Sequence, residues 1–334
     1  MGKFSGLRSA AGGLWESLAR VINGESFMST LDLHGLIPAT VLPMAEGYGI
    51  EEPGLRRYIH WVVEQGVVGV AINVDTGEGL HLSPTERVRV VEIVAEEVKG
   101  RVPIIAGLIA SYTAQAVELA RQAQSAGADA LLVFPISAFQ GEPLDPEVPY
   151  RYHAAIAEAV DIPLILFQLQ PALGGCLFSR ETLARLTGIE SVIALKEASF
   201  DAMKFLEAKA VLEQAPRQIT LLTGNDNFIL ESFVLGAEGA LIGFGTLATR
   251  MQVQMVKAWQ RGDLKEAFRL GRIIQPLADV IFAPPVRNYR ARTKEALVML
   301  GVLDRATVRP PLLPVSDAER EGVRRALQKA GLLS

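Results

Sequence analysis

Val192-Ile193-Ala194-Leu195-Lys196-Glu197-Ala198 opens with four consecutive apolar residues, and only then does a lysine appear. A strand with one wet face alternates apolar and polar residues. A strand covered on both faces does not, and this is the mark of a parallel sheet packed under helices. The flanking segments, residues 179–187 and 201–214, have the length and apolar spacing of amphipathic helices. The same unit recurs along the chain. Apolar runs occupy Leu33–Met44, Val67–Val74, Pro103–Ile109, Ala130–Ile136, Pro163–Leu169, Val192–Ala198, Thr220–Asn225 and Gly239–Leu247. Helix-like segments fall at 53–65, 113–126, 146–160, 226–236 and 249–261. One more begins at Ser83-Pro84-Thr85-Glu86, an N-cap serine, a proline in the first turn and a capping-box glutamate. Gly66, Gly100, Gly127 and Gly188 stand where helices should end.

Eight such units over residues 31–262 predict an α/β chain folded as a (β/α)8 TIM barrel. An open doubly wound sheet fits less well, because no GxGxxG or GxxxxGK[ST] turn follows any apolar run. Beyond residue 262 the strands stop. Three helical stretches, 263–280, 284–301 and 316–331, predict a C-terminal helical appendage over 263–334. Residues 1–30 form an N-terminal extension in which Leu14, Trp15, Leu18, Val21 and Ile22 share one face of a short amphipathic helix. It reads as a packing extension or a stretch upstream of a start at Met28, with a tether to a partner or membrane surface as the alternative.

Composition removes several function classes. Apolar residues make up 49% of the 334 and charged residues 21%, enough for a large core and unlike a disordered chain. A balance of 33 basic against 37 acidic residues leaves no electrostatic footprint for nucleic acid. One cysteine, Cys176, excludes an intrachain disulfide and a cysteine metal cluster. Four histidines without an HExxH spacing offer no zinc motif, so no metal is expected. No apolar run reaches the roughly 20 residues of a membrane helix. The N-terminus lacks a signal-peptide core, and a reducing cytoplasm is the expected location.

In such a barrel chemistry sits at the C-terminal ends of the strands. Those ends bear Thr40; Asp75-Thr76-Gly77-Glu78; Ser111-Tyr112; Pro135-Ile136-Ser137; Phe167-Gln168; Lys196-Glu197; Gly224-Asn225-Asp226; and Gly243 with Gly245. Of nine lysines, Lys196 is the one that follows an apolar strand; the others lie on helical or terminal segments with charged neighbours. Burial disfavours an ammonium, and a neutral amine can attack a carbonyl to form a Schiff base. The competing reading is a strand-end lysine that snorkels or pairs with a carboxylate. Thr76 and the amides of its turn could cradle a carboxylate, or Asp75 and Gly77 could serve turn geometry alone. Ser137 and Tyr112 offer hydroxyls for proton transfer. Phe167 and Gln168 would line the cavity, and Gly243 would allow a ligand close approach. Asp226 reads more readily as the N-cap of the next helix than as a catalytic group.

In order and spacing, several of these pieces resemble the dihydrodipicolinate synthase / N-acetylneuraminate lyase family of class I aldolases. They are Gly35-Leu36-Ile37-Pro38-Ala39, Asp75-Thr76-Gly77-Glu78, Leu195-Lys196-Glu197-Ala198, Leu222-Thr223-Gly224-Asn225-Asp226 and the ending Arg324-Arg325-Ala326-Leu327 with Ala330-Gly331-Leu332-Leu333. The resemblance spans about residues 33–333. It implies a barrel, a homo-oligomer (tetramer or dimer), no cofactor and a small-molecule 2-oxo acid substrate. By position it makes Lys196 the Schiff-base lysine and Thr76 a carboxylate ligand.

Three departures bear on the reaction. Where the family carries Pro-Tyr-Tyr, with a proton-relay tyrosine, this chain has Pro135-Ile136-Ser137. Asp75 replaces the first threonine of the carboxylate loop, and Ala138–Gly141 contains no arginine to hold a second carboxylate. An aliphatic hydroxyl is a far weaker acid than a phenol. An ionised Asp75 would repel a bound carboxylate by roughly 1–4 kcal/mol at 4 Å. The reading is therefore a Schiff-base lyase, an aldolase or dehydratase acting on pyruvate or a hydroxylated 2-oxo acid, with Asp75 or Ser137 moving the proton. Dihydrodipicolinate synthase proper and a non-catalytic 2-oxo acid-binding barrel are the alternatives.

Overall fold

A computed structural model describes residues 31–334. The expected helix within residues 1–30 lies outside them. Eight parallel strands run β1 (Leu36–Pro38), β2 (Val70–Ile72), β3 (Ile104–Leu108), β4 (Ala130–Val133), β5 (Leu164–Leu169), β6 (Val192–Ala198), β7 (Thr220–Thr223) and β8 (Gly239–Ile242). Their order is β1-β8-β7-β6-β5-β4-β3-β2. The ring closes between β1 and β2 by the parallel bridge Ala39–Ala71 and by the bonds Thr40 N–Ala71 O (2.8 Å) and Val68 N–Leu36 O (3.0 Å). Each strand leads into a helix of the outer ring, β2, β4, β5 and β8 by way of a short 3-10 turn. The helices are α1 (Glu52–Val63), α2 (Pro84–Val98), α3 (Thr113–Ala126), α4 (Glu147–Ala157), α5 (Arg180–Leu186), α6 (Ala202–Leu212), α7 (Ile229–Val234) and α8 (Thr249–Gln260). This is the (β/α)8 barrel that the apolar runs predict.

The hydrogen-bonded strands are shorter than several of those runs. Leu33–Met44 supplies only three strand residues, and Gly239–Leu247 turns after Ile242 into a 3-10 segment, Phe244–Thr246. The leftover apolar residues fill the loops over the barrel ends. Leu42, Met44 and Leu247 are all buried there. Helix starts follow the sequence closely. Ser83 caps α2 in a capping box with Glu86, and Pro84 opens its first turn. Of the four terminal glycines, Gly66, Gly100 and Gly127 adopt positive φ, whereas Gly188 does not.

The C-terminal helices α9 (Leu264–Ile281), α10 (Tyr289–Met299) and α11 (Asp317–Lys329) carry no strand among the described residues. They do not form a separate body, because Leu33–Ser334 is one compact unit. Lys294 of α10 places its Nζ 2.5 Å from Glu78 Oε1, with both side chains fully buried. Arg309 pairs with Glu86 at 2.7 Å. The segment after β2 is thus bolted to the C-terminal region. No helix of the described chain is long and apolar enough to cross a membrane.

Candidate functional site

Strand β6 contains a bulge. Val192 and Ala194 stand opposite consecutive residues Leu164 and Ile165 of β5, so Ile193 is an extra residue. A bulge shifts the alternation of side chains by one. Beyond it Lys196 and Ala198 turn into the cavity at the barrel mouth. Lys196 lies in register with Phe167 of β5, and its Nζ sits 4.2 Å from the centre of that ring. Phe134 packs edge-on against Phe167 at 4.9 Å, which fixes the ring as a floor beneath the amine. Gly224 makes room for the lysine stem: a Cβ there would meet Lys196 Cε at 2.8 Å and Ala198 Cβ at 2.8 Å.

The cavity has a volume of about 50 Å3, space for several water-sized groups. Its walls include Asp75, Thr76, Phe167, Asp226, Gly243 and Tyr289. Lys196 is 8% exposed, and burial pushes its ammonium down to about 8. Asp226 and Asp75 oppose that shift through space. Burial raises the Asp226 carboxyl to about 7, against the hydrogen bond that its Oδ1 accepts from Phe244 N at 2.8 Å. Burial thus drives the two groups in opposite directions, and the charge of each counteracts the shift of the other.

Lys196 is not the only buried lysine. Lys294 is fully buried on α10, where the sequence shows only a charged helical segment. The two differ in their partners. Lys294 is tied to Glu78 and also donates to Thr307 O at 2.7 Å. Lys196 rests on an aromatic face and opens into the cavity. Burial alone marks both residues; a free approach marks Lys196.

The other expected residues fall into two groups. Asp75, Thr76, Phe167 and Gly243 come together around the amine. Gly243 permits a close fit: a Cβ there would lie 3.0 Å from Thr76 Oγ1 and 3.4 Å from Tyr289 Cε2. Thr40, Gly77, Gln168, Ser137 and Tyr112 are not among the residues lining the cavity. The Thr40 hydroxyl donates to Ala71 O at 3.0 Å and so serves barrel closure. Gly77 packs under Thr40 O. Gln168, one residue past Phe167, points the other way; its Oε1 accepts from Phe178 N at 3.1 Å, and it lines a separate outer pocket. Ser137 is exposed at the start of a 3-10 turn. Tyr112 is 60% exposed before α3. Asp226 does not cap a helix. The residue at the start of α7 is Phe228, and no side chain caps it.

Tyr289 and Arg290 are the residues that the sequence did not single out. The Tyr289 hydroxyl donates to Asp75 Oδ2 at 2.7 Å and lies 3.3 Å from Thr76 Oγ1. Phe282 stacks on its ring at 4.7 Å. Arg290 Nε donates to Asp75 O at 2.7 Å, and Nη2 forms an ion pair with Asp75 Oδ1. The charge of Asp75, which threatened to repel a bound carboxylate, is thus matched by a guanidinium. No local sequence signal marks them; only the fold shows that α10 buries Arg292, Lys294 and Glu295, an unusual set for a simple packing helix.

The model of the dihydrodipicolinate synthetase family matches residues 32–330. A 4-hydroxy-tetrahydrodipicolinate synthase of Gluconacetobacter diazotrophicus is 31% identical over 307 residues, covering 92% of this chain and 100% of that protein. The corresponding protein of Methanopyrus kandleri is 34% identical over 303 residues, covering 90% of this chain and 97% of its own. Among solved structures, the dihydrodipicolinate synthase of Acinetobacter baumannii, described as complexed with pyruvate, superposes with a TM-score of 0.79 at 30% identity. It covers 90% of this chain and 100% of that one. A dihydrodipicolinate synthase of Bacillus anthracis gives a TM-score of 0.80 at 26% identity, covering 90% and 99%. On a match running from residue 32 to residue 330, the chain belongs to the dihydrodipicolinate synthetase family and is a lyase built on a (β/α)8 barrel.

Proposed function

We propose that Lys196 forms a Schiff base with pyruvate or a hydroxylated 2-oxo acid, and that the chain works as an aldolase or dehydratase. The observation that carries this reading is the placement of Lys196. Its amine is buried without a hydrogen-bonded carboxylate, lies on the Phe167 face and opens into a cavity. Its lowered proton affinity leaves a useful fraction of neutral amine near neutral pH, which is what attack on the 2-oxo carbon needs. The iminium then withdraws electrons from the next carbon, so a carbon–carbon bond can break or form there, or water can leave. Thr76 and the amides of its turn hold the substrate carboxylate, Gly243 lets it approach, and Phe167 packs against its carbon chain. Asp226 and Asp75 are the acid–base groups within the cavity.

The test is a panel of hydroxylated 2-oxo acids assayed for pyruvate or dehydrated product. Turnover of a member, lost in Lys196→Ala, supports the reading. A panel with no turnover and no imine contradicts it. Dihydrodipicolinate synthase proper is the second reading, favoured by relatives bearing that activity in their names along nearly their whole length. Condensation of pyruvate with aspartate semialdehyde decides it. We place the protein in the cytoplasm as a homodimer or homotetramer. The buried free thiol of Cys176 suits a reducing compartment. Met203 and Leu206, one turn apart and exposed on α6, suit a self-association face.

A further inference from the structure

We propose that Tyr289, carried by the C-terminal helix α10, is the phenol of this active site and passes protons between the Lys196-bound substrate and Asp75. The inference rests on the Schiff-base reading above and adds the route of the proton. Position 137, where the family resemblance places a relay tyrosine, holds an exposed serine outside the cavity lining. Tyr289 is the tyrosine in that lining. Its hydroxyl already makes the two contacts a relay requires: a 2.7 Å bond to a carboxylate, Asp75 Oδ2, and a 3.3 Å contact to the hydroxyl of Thr76. Its ring stacks on Phe282, and the edges of both rings come close to the bare Cα of Gly243. Arg290, the next residue, fixes Asp75 from its far side. One short stretch of α10 therefore supplies both the phenol and the clamp on its partner.

The step balances without any further reagent. When the iminium of pyruvate becomes an enamine, the C3–H bond breaks and its electron pair neutralises the iminium. The released proton goes to the Tyr289 oxygen while the phenolic proton moves to Asp75 Oδ2. The reverse transfer protonates the enamine. Burial and the adjacent Asp75 raise the phenol well above its ordinary range, so Tyr289 conducts a proton and does not rest as a phenolate. Asp75 is then the acceptor and Tyr289 the group that touches substrate.

The experiment measures exchange of the pyruvate methyl hydrogens in D2O, alongside borohydride trapping of the imine, for the wild type, Tyr289→Phe and Asp75→Asn. Melting temperature is followed for each variant. The wild type is expected to exchange and to trap. Both variants are expected to trap at Lys196 while exchange falls about a hundredfold or more, and the double variant falls no further than either single one. Exchange in Tyr289→Phe at the wild-type rate overturns the relay. So does a loss of trapping and exchange in equal proportion, because it marks residues that only shape the cavity. Absence of trapping in the wild type overturns the Schiff-base reading, and the relay with it.

Discussion

Arg290 holds Asp75 twice, through Nε to the backbone carbonyl at 2.7 Å and through Nη2 to the carboxylate. This pair bridges a loop that follows β2 and a helix more than two hundred residues later. It explains how an acidic residue can stand in a cavity meant for an anion. The guanidinium matches the carboxylate's charge, which is what the proposed binding of a substrate carboxylate at Thr76 requires.

Removing that match should therefore weaken substrate binding. Arg290→Gln is expected to raise the KM for the 2-oxo acid about tenfold or more, the scale of an unscreened charge a few ångströms away. Adding Asp75→Thr should restore most of the lost affinity, because it deletes the charge that Arg290 had balanced. Steady-state kinetics of the single and double variants provide the check. An unchanged KM in Arg290→Gln contradicts the charge-matching account.

Gly224 gives a steric counterpart. A methyl group there would sit 2.8 Å from Lys196 Cε, closer than carbon atoms approach. Gly224→Ala should displace the amine and slow imine formation by roughly ten- to a hundredfold while the barrel still melts cooperatively. The rate of imine trapping, set against the melting curve, separates a moved nucleophile from a lost fold.

The pH dependence of imine formation carries a definite sign. Burial lowers Lys196 to about 8 from its ordinary 10.5, and the protonated amine is not a nucleophile. Imine formation should rise with pH and level off above about 8. Asp226 favours the ammonium, so Asp226→Asn should move the rising limb to lower pH. A limb that stays in place in the variant would separate the two groups.

Ser137 is the residue on which sequence position and structure disagree most. Its side chain is exposed, and it is absent from the cavity lining. Ser137→Ala is expected to leave turnover within about twofold of wild type, the behaviour of an ordinary surface position. A large loss in a turnover assay would restore it to the relay.

The barrel was legible in the sequence because its signal is repeated. Eight apolar runs such as Val192–Ala198 alternate with helical segments, and each run reads as a buried strand without help from the others. Lys196, Thr76, Phe167 and Gly243 were legible because they sit at strand ends. Gln168 was misplaced by one residue's worth of alternation: Phe167 faces the barrel, so its neighbour cannot. Asp226 resembled a helix cap, and only the tertiary fold shows its carboxyl turned to Phe244 N. Tyr289, Arg290 and Lys294 were illegible for a different reason. They act on Asp75, Thr76 and Glu78 across the full span of the chain, and a helix facing polar partners leaves no apolar stripe to betray it.

The central claim is a covalent one, and borohydride reduction in saturating pyruvate tests it most directly, with the modified peptide located by mass spectrometry. One added pyruvate-derived group per chain is expected, on Lys196, and none in Lys196→Ala, while the fully buried Lys294 remains unmodified. A chain left unmodified, or modified at another lysine, would contradict that claim.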